Sequence, residues 1–248
     1  MGYKDSKQVA GSCVVQQECH EEVCKKTPPS MATGACDYYK NRHENYIQRH
    51  QHDSKSGGDT PPSYYLDYGF KYCTKFSEET MPKLSSNGKT WLKDTLQNLQ
   101  EFMEAGVVQK SWRANINTTF NTTYLSQGTE AFYTGIECRD NDFTAFAFAT
   151  HPDAYNPQMF KTLTCDDLIT IGFTPSDEYK PSGKHKLDTI AQIGFVAKEL
   201  WNQGDISTIS ANCAKEAGGY MARKLDEIGD TIVDGFEDFI NTVSRGGI

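Results

Sequence analysis

DISTISANCAKEAGGYMARKLDEIGDTIVDGFEDFINTV, residues 205–243, sets Ile206, Ile209, Cys213, Ala217, Met221, Leu225, Ile228, Ile232, Phe236, Phe239 and Val243 three or four positions apart. That spacing predicts one apolar stripe along a long amphipathic helix. Asp226, Asp230, Asp234, Glu237 and Asp238 also fall at helical spacing and form an acidic face that must stay in water. The stripe is therefore expected to pack against protein. Ala214, Gly218 and Ala222 stand four apart, and a helical glycine costs about 1 kcal/mol relative to alanine. Close approach of another backbone would offset that cost, with a kink at Gly218-Gly219 as the alternative. Gly218, Ala222, Phe236 and Phe239 are accordingly the expected partner-binding positions, serving a protein partner or self-association.

Working back from this stretch, Leu187, Ile190, Gly194, Ala197 and Trp201 predict a helix ending near Gln203, and Gly204-Asp205 reads as a stop followed at once by an N-cap. Residues 181–248 are thus expected to form an antiparallel, coiled-coil-like hairpin. Upstream, Leu92, Leu96, Leu99 and Met103, widened by Trp91 and Phe102, predict a helix over 86–105 that stops at Gly106. Tyr65, Tyr68, Tyr72 and Phe76 predict an aromatic helix face that Ser63 caps and Pro82 interrupts. Asp142 is a candidate cap for a helix through Phe143, Phe146 and Ala147, and Thr164 with Asp167 resembles a capping box ahead of Leu168, Ile169 and Ile171. The fold class is therefore mainly α, with a helical body over 63–180. A loop or a short β hairpin is expected only near 107–135, which is rich in Thr, Asn and aromatic residues.

Residues 1–62 differ from the rest. They carry Cys13, Cys19, Cys24 and Cys36, the histidines at 20, 43, 50 and 52, and the breakers Pro28-Pro29, Gly57-Gly58 and Pro61-Pro62. So few aliphatic residues predict a flexible Cys/His-rich arm and linker, with one short helix near Val14 to Cys24.

A net charge of −8 with scattered Lys and Arg gives a phosphate backbone little to hold, so no nucleic-acid partner is expected. No apolar run reaches the roughly 20 residues of a membrane span. The opening residues Met1-Gly2-Tyr3-Lys4-Asp5 show no apolar signal core, so the expected location is cytoplasmic, with export lacking a cleavable signal peptide as an added possibility. In that compartment the eight cysteines are expected as free thiols or metal ligands.

Three groupings bear on chemistry. Cys13, Cys19, Cys24 and Cys36 with nearby histidines are candidate zinc ligands, but Cys13-x5-Cys19, Cys19-x4-Cys24 and Cys24-x11-Cys36 only graze the tight Cys-x2-4-Cys knuckle of structural sites. No cofactor is the expectation and zinc on this arm the alternative. Cys138 or Cys165 as nucleophile, His151 as base, and Asp153, Glu137 or Asp166 as orienter supply the residue types for acyl transfer. No local signature surrounds either cysteine, and packing for the cysteines and capping for His151 are the plainer readings. Glu130 or Glu137 with Asp140, Asp142 or Asp153 offers a general acid and base for a glycan, against the plainer role of helix caps.

Residues 64–73 (YYLDYGFKYC), 83–92 (KLSSNGKTWL) and 148–155 (FATHPDAY) resemble a module of uncharacterised bacterial proteins associated with secretion or contractile injection systems. The resemblance spans about residues 62–175 and implies a setting, an effector or cargo of such an apparatus, without a reaction. Together these readings lead to a non-enzymatic helical protein engaged in protein-protein interaction. A bacterial effector hydrolase is the alternative.

Overall fold

The computed structural model describes residues 20–51, 60–111, 130–155, 159 and 162–175. These are mainly helical, and no strand occurs among them. In chain order, α1 is His20–Lys25 and α2 is Asp37–His50. A continuous helical run follows: a π-wound segment Tyr65–Phe70, α3 at Lys71–Lys75, a second π-wound segment Phe76–Thr80, and a 3-10 turn Met81–Lys83. Next come α4 (Ser86–Val107), α5 (Glu130–Tyr133), a 3-10 turn Ile136–Cys138, α6 (Asp140–Ala149), α7 (His151–Ala154) and α8 (Cys165–Phe173). The expected C-terminal hairpin, with Gly218, Ala222, Phe236 and Phe239, lies outside the described residues. So do residues 112–129, most of the expected β hairpin, while Glu130–Tyr133 near its end is helical.

The chain divides into two units, one of residues 1–71 and 100–147 and the other of 72–99 and 148–248. In the first unit the described residues 20–51 correct the reading of that part of the chain as a flexible arm. Tyr38, Tyr39, Arg42, Tyr46 and His50 follow helical spacing and make the buried face of α2. That face packs on residues 64–70, where Tyr64, Tyr65, Tyr68 and Gly69 are buried. A side chain at Gly69 would put its Cβ 2.5 Å from the Tyr39 ring, so glycine is what lets the ring lie on the helix backbone. Phe143 extends the aromatic core, 4.8 Å from Tyr65 and 6.1 Å from Phe146 in edge-on contacts. The core of this unit is aromatic, so its low aliphatic content does not mark the segment as unfolded.

The second unit is built on the expected stripe of α4. Trp91 and Leu92 join Leu84 and Leu163, with Phe76, Leu96, Tyr155, Leu168 and Ile171 packed around them. Trp91 Nε1 donates to the Tyr155 carbonyl at 2.6 Å, so the indole is buried without losing its hydrogen bond. Pro82 breaks the preceding run as expected, and Leu84 is extended. Gly106 does not stop α4: the helix reaches Val107, and Gly106 is buried against the Phe146 ring.

Thr164 and Asp167 form the expected capping box at the start of α8. Asp167 does more than cap. Its Oδ1 accepts from the Ser85 amide and its Oδ2 from the Ser85 hydroxyl, tying α8 to the residues that enter α4. Burial raises the pKa of this carboxyl, but the hydrogen bonds from Ser85 and Thr164 outweigh burial and leave it below the ordinary value. A lowered folded pKa stabilises above the unfolded value of about 3.9, and that contribution fades as pH falls through the folded pKa. Asp167→Asn should therefore cost about 1 kcal/mol or more at pH 7, the scale of a lost cap, and the gap to wild type should shrink in melts run at progressively lower acid pH. A gap independent of pH would show that the charge of Asp167 is immaterial.

Ser63, expected as a cap, instead bonds Asp140: its amide donates to Oδ1 at 2.7 Å and its hydroxyl lies 3.2 Å from Oδ2. Asp142, the expected cap of α6, sits inside its first turn and pairs with Arg139 at 2.7 Å.

Candidate functional site

The described residues bring sulfur, imidazole and phenol together in the first unit. Cys24, near the end of α1, is disulfide-bonded to Cys138, at the end of the 3-10 turn that follows Gly135. Gly135 is left-handed, with φ 67°, and a Cβ there would lie 3.1 Å from the Cys24 carbonyl oxygen. Glycine thus permits both the turn and the close approach of the two segments.

His50 closes α2 and is buried, with Nε2 3.9 Å from Cys138 Sγ. The Tyr46 ring stacks on the imidazole at 4.1 Å between centroids, and the Tyr46 hydroxyl lies 3.6 Å from the same sulfur. One turn of α2 therefore presents both groups to the disulfide. Beside them Glu137 accepts from Arg49 at 2.6 Å and from the Tyr65 hydroxyl at 2.7 Å. A small cavity opens here, lined by Cys24, Lys26, Arg49, Lys110, Glu137 and Cys138 among others.

A second polar cluster lies deeper in the same unit. Arg42 is fully buried, and Glu104 Oε1 accepts from its Nε at 2.7 Å, from its Nη2, and from the Tyr38 hydroxyl at 2.8 Å. Glu104 Oε2 accepts from the Met31 amide at 3.1 Å. Burial and then the Glu104 carboxylate hold the Tyr38 hydroxyl well above its ordinary pKa, and burial with Glu137 does the same to Tyr65. Both phenols are donors locked in the neutral state.

Cys138 belongs to the first unit and His151, Asp153 and Cys165 to the second. Cys165 is disulfide-bonded, as are Cys36 and Cys73, and no described cysteine is free. The expected free thiols are corrected to half-cystines, and neither Cys138 nor Cys165 offers a thiolate nucleophile in this state. His151 is buried, its ring 5.3 Å from Phe148 and 5.8 Å from Tyr155. Glu137 is tied to Arg49 and Tyr65, Asp140 to Ser63 and Asp142 to Arg139. Glu130 begins α5 on the surface. Of the candidate zinc ligands Cys13 and Cys19 lie outside the described residues, Cys36 is disulfide-bonded, and Cys24 has its partner 114 positions away.

Sequence reasoning missed the meeting of Cys24, His50 and Cys138, and the role of Glu104. The 3-4 spacing of α2 carried a signal for His50 once Tyr38, Tyr39, Arg42 and Tyr46 are counted as one face. Nothing local marks the long-range partners.

No protein family, curated protein or solved structure matches this chain. No helix among the described residues is long and apolar enough to cross a membrane.

Proposed function

We propose that this chain is a non-catalytic helical protein that acts by docking on another protein, as a cargo or effector of a bacterial secretion or contractile injection apparatus. The observation that carries the reading is the occupation of its reactive side chains. Glu104, Glu137 and Asp167 are each held by two or more donors, His151 lies among aromatic rings, and Cys138 and Cys165 are half-cystines. A hydrolase needs an acid, a base or a thiolate open to its substrate, whereas these groups are committed to the fold. Paired cysteines also suit a protein that works outside a reducing cytosol. The apparatus enters through the resemblance of residues 64–73, 83–92 and 148–155, and the docking face through the C-terminal stripe around Gly218 and Phe236.

Export tests the cargo half. The full chain should leave a bacterium that carries such an apparatus and stay inside the same strain with the apparatus deleted, and equal release from both strains, or none from either, sinks it. The non-catalytic half is tested by His151→Ala in the delivered protein, whose effect on recipient cells should fall only as far as Tm falls. Loss of effect at an unchanged Tm would return His151 to a catalytic role.

A further inference from the structure

We propose that reduction of the Cys24–Cys138 disulfide converts this corner of the first unit into a zinc site, with the two thiolates and His50 Nε2 as ligands. The three ligand atoms lie within 4.8 Å of one another. Zinc bonds sulfur at about 2.3 Å and imidazole nitrogen at about 2.0 to 2.1 Å, so tetrahedral ligands stand roughly 3.6 Å (S to N) and 3.8 Å (S to S) apart. His50 Nε2 is 3.9 Å from Cys138 Sγ, already close to the first of these separations. The Cα atoms of Cys24 and Cys138 are 6.1 Å apart, so once the bond between the sulfurs is broken, side-chain rotation can part them with little movement of the backbone.

The surroundings suit a metal as well as the distances do. His50 is buried at the end of α2, and stacking on Tyr46 fixes its ring with Nε2 turned toward the sulfur. The Tyr46 hydroxyl, 3.6 Å from Cys138 Sγ, is placed to donate to a thiolate, the kind of outer contact that orients a ligand and tunes its basicity. Lys26, Arg49 and Lys110 line the adjoining cavity, and nearby cations favour thiolate over thiol. Cys24 and Cys138 are only partly buried, which leaves a path for the ion and a fourth position for water. Two soft sulfurs and an imidazole select zinc or copper(I) over hard cations, and a site that is closed by oxidation suits a metal that is itself redox-inert.

The chemistry balances with an external dithiol as reductant. Its two sulfhydryls become a disulfide while the Cys24–Cys138 bond is cleaved to two thiols, and zinc then displaces both thiol protons to solvent. Zinc keeps its +2 state throughout, and the protein exchanges one covalent staple for another.

Cobalt(II), which reports thiolate ligation and tetrahedral geometry in its spectrum, is the probe on the full chain. Oxidised protein should show no such bands, and protein reduced under anaerobic conditions should show them. Because other cysteines are freed as well, the assignment rests on variants. Cys36→Ser should keep the bands, whereas His50→Ala should weaken cobalt and zinc binding by at least about tenfold, in the range that even outer-contact mutations reach. His50→Ala leaves the disulfide in place, so the Tm of its oxidised form verifies the fold independently of metal. Zinc should also restore part of the Tm that reduction removes in wild type, and less of it in His50→Ala. Unchanged affinity and spectrum in His50→Ala overturns the proposal, as does a reduced chain that neither binds cobalt nor regains Tm with zinc.

Discussion

Glu104→Ala is expected to lower stability by about 3 to 5 kcal/mol, read as a shift of the denaturation midpoint at pH 7. Arg42 has no exposed surface, and Glu104 carries the countercharge for it while accepting from Tyr38 and the Met31 amide. Burial alone would pull the guanidinium's pKa down, but the hydrogen bond to Glu104, with smaller contributions from Tyr38, Tyr65 and the Glu104 charge, reverses that and keeps Arg42 ionised. Alanine at 104 therefore strands a charge that cannot be neutralised and cannot reach water. The double variant Arg42→Met, Glu104→Leu removes both charges at similar volume. It should be more stable than Glu104→Ala, although it leaves the Tyr38 hydroxyl and Met31 amide to find other partners at about 1 to 3 kcal/mol each. A single-variant cost under about 1 kcal/mol would mean that water reaches the pair.

Breaking the Cys24–Cys138 bond is the second large effect. The bond joins positions 114 apart. Cross-linking removes loop-closure entropy from the unfolded chain, roughly 4.7 kcal/mol for a loop of about 100 residues, and loss of a native disulfide commonly costs about 2 to 5 kcal/mol. Cys24→Ser and Cys138→Ser should each fall in that range. Because one bond is lost in either case, the double variant should cost about as much as one single variant. Additive losses would show that the two sulfurs stabilise the fold separately, and a cost below about 1 kcal/mol would show that the crosslink does not constrain the unfolded chain.

The legible parts of the fold were those whose cause is local. The α4 stripe needed only 3-4 spacing, the start of α8 only Thr164 and Asp167, and the break at Pro82 only a missing amide. The segment holding α2 reads as an arm because its buried face includes an arginine and a histidine beside three tyrosines, a composition that resembles a solvated linker when aliphatics are counted. Arg42 can sit there only because Glu104 arrives from 62 positions away. The two π-wound segments left no mark either, since an α-helix through 65–80 also puts Tyr65, Tyr68 and Tyr72 on one side. At the candidate site the residue types were visible, and both Cys24 and His50 stood among possible zinc neighbours. Their neighbour, Cys138, reads from sequence as a candidate nucleophile, because disulfide connectivity is not deducible from one sequence.

That the first unit is assembled from residues 1–71 and 100–147 has a consequence for how the protein is made. Translation at about 5 to 20 residues per second delivers α2 several seconds before Glu104, and Cys24 several more before Cys138. During that interval Arg42 has no countercharge and Tyr65 lacks Phe143, so an emerging chain carries a helix whose face residues 64–70 can cover but whose buried charge is still unmatched. Chains released before residue 104 lack the countercharge of Arg42 and those released between 104 and 138 still lack the partner of Cys24, so both are natural clients for a chaperone or a protease.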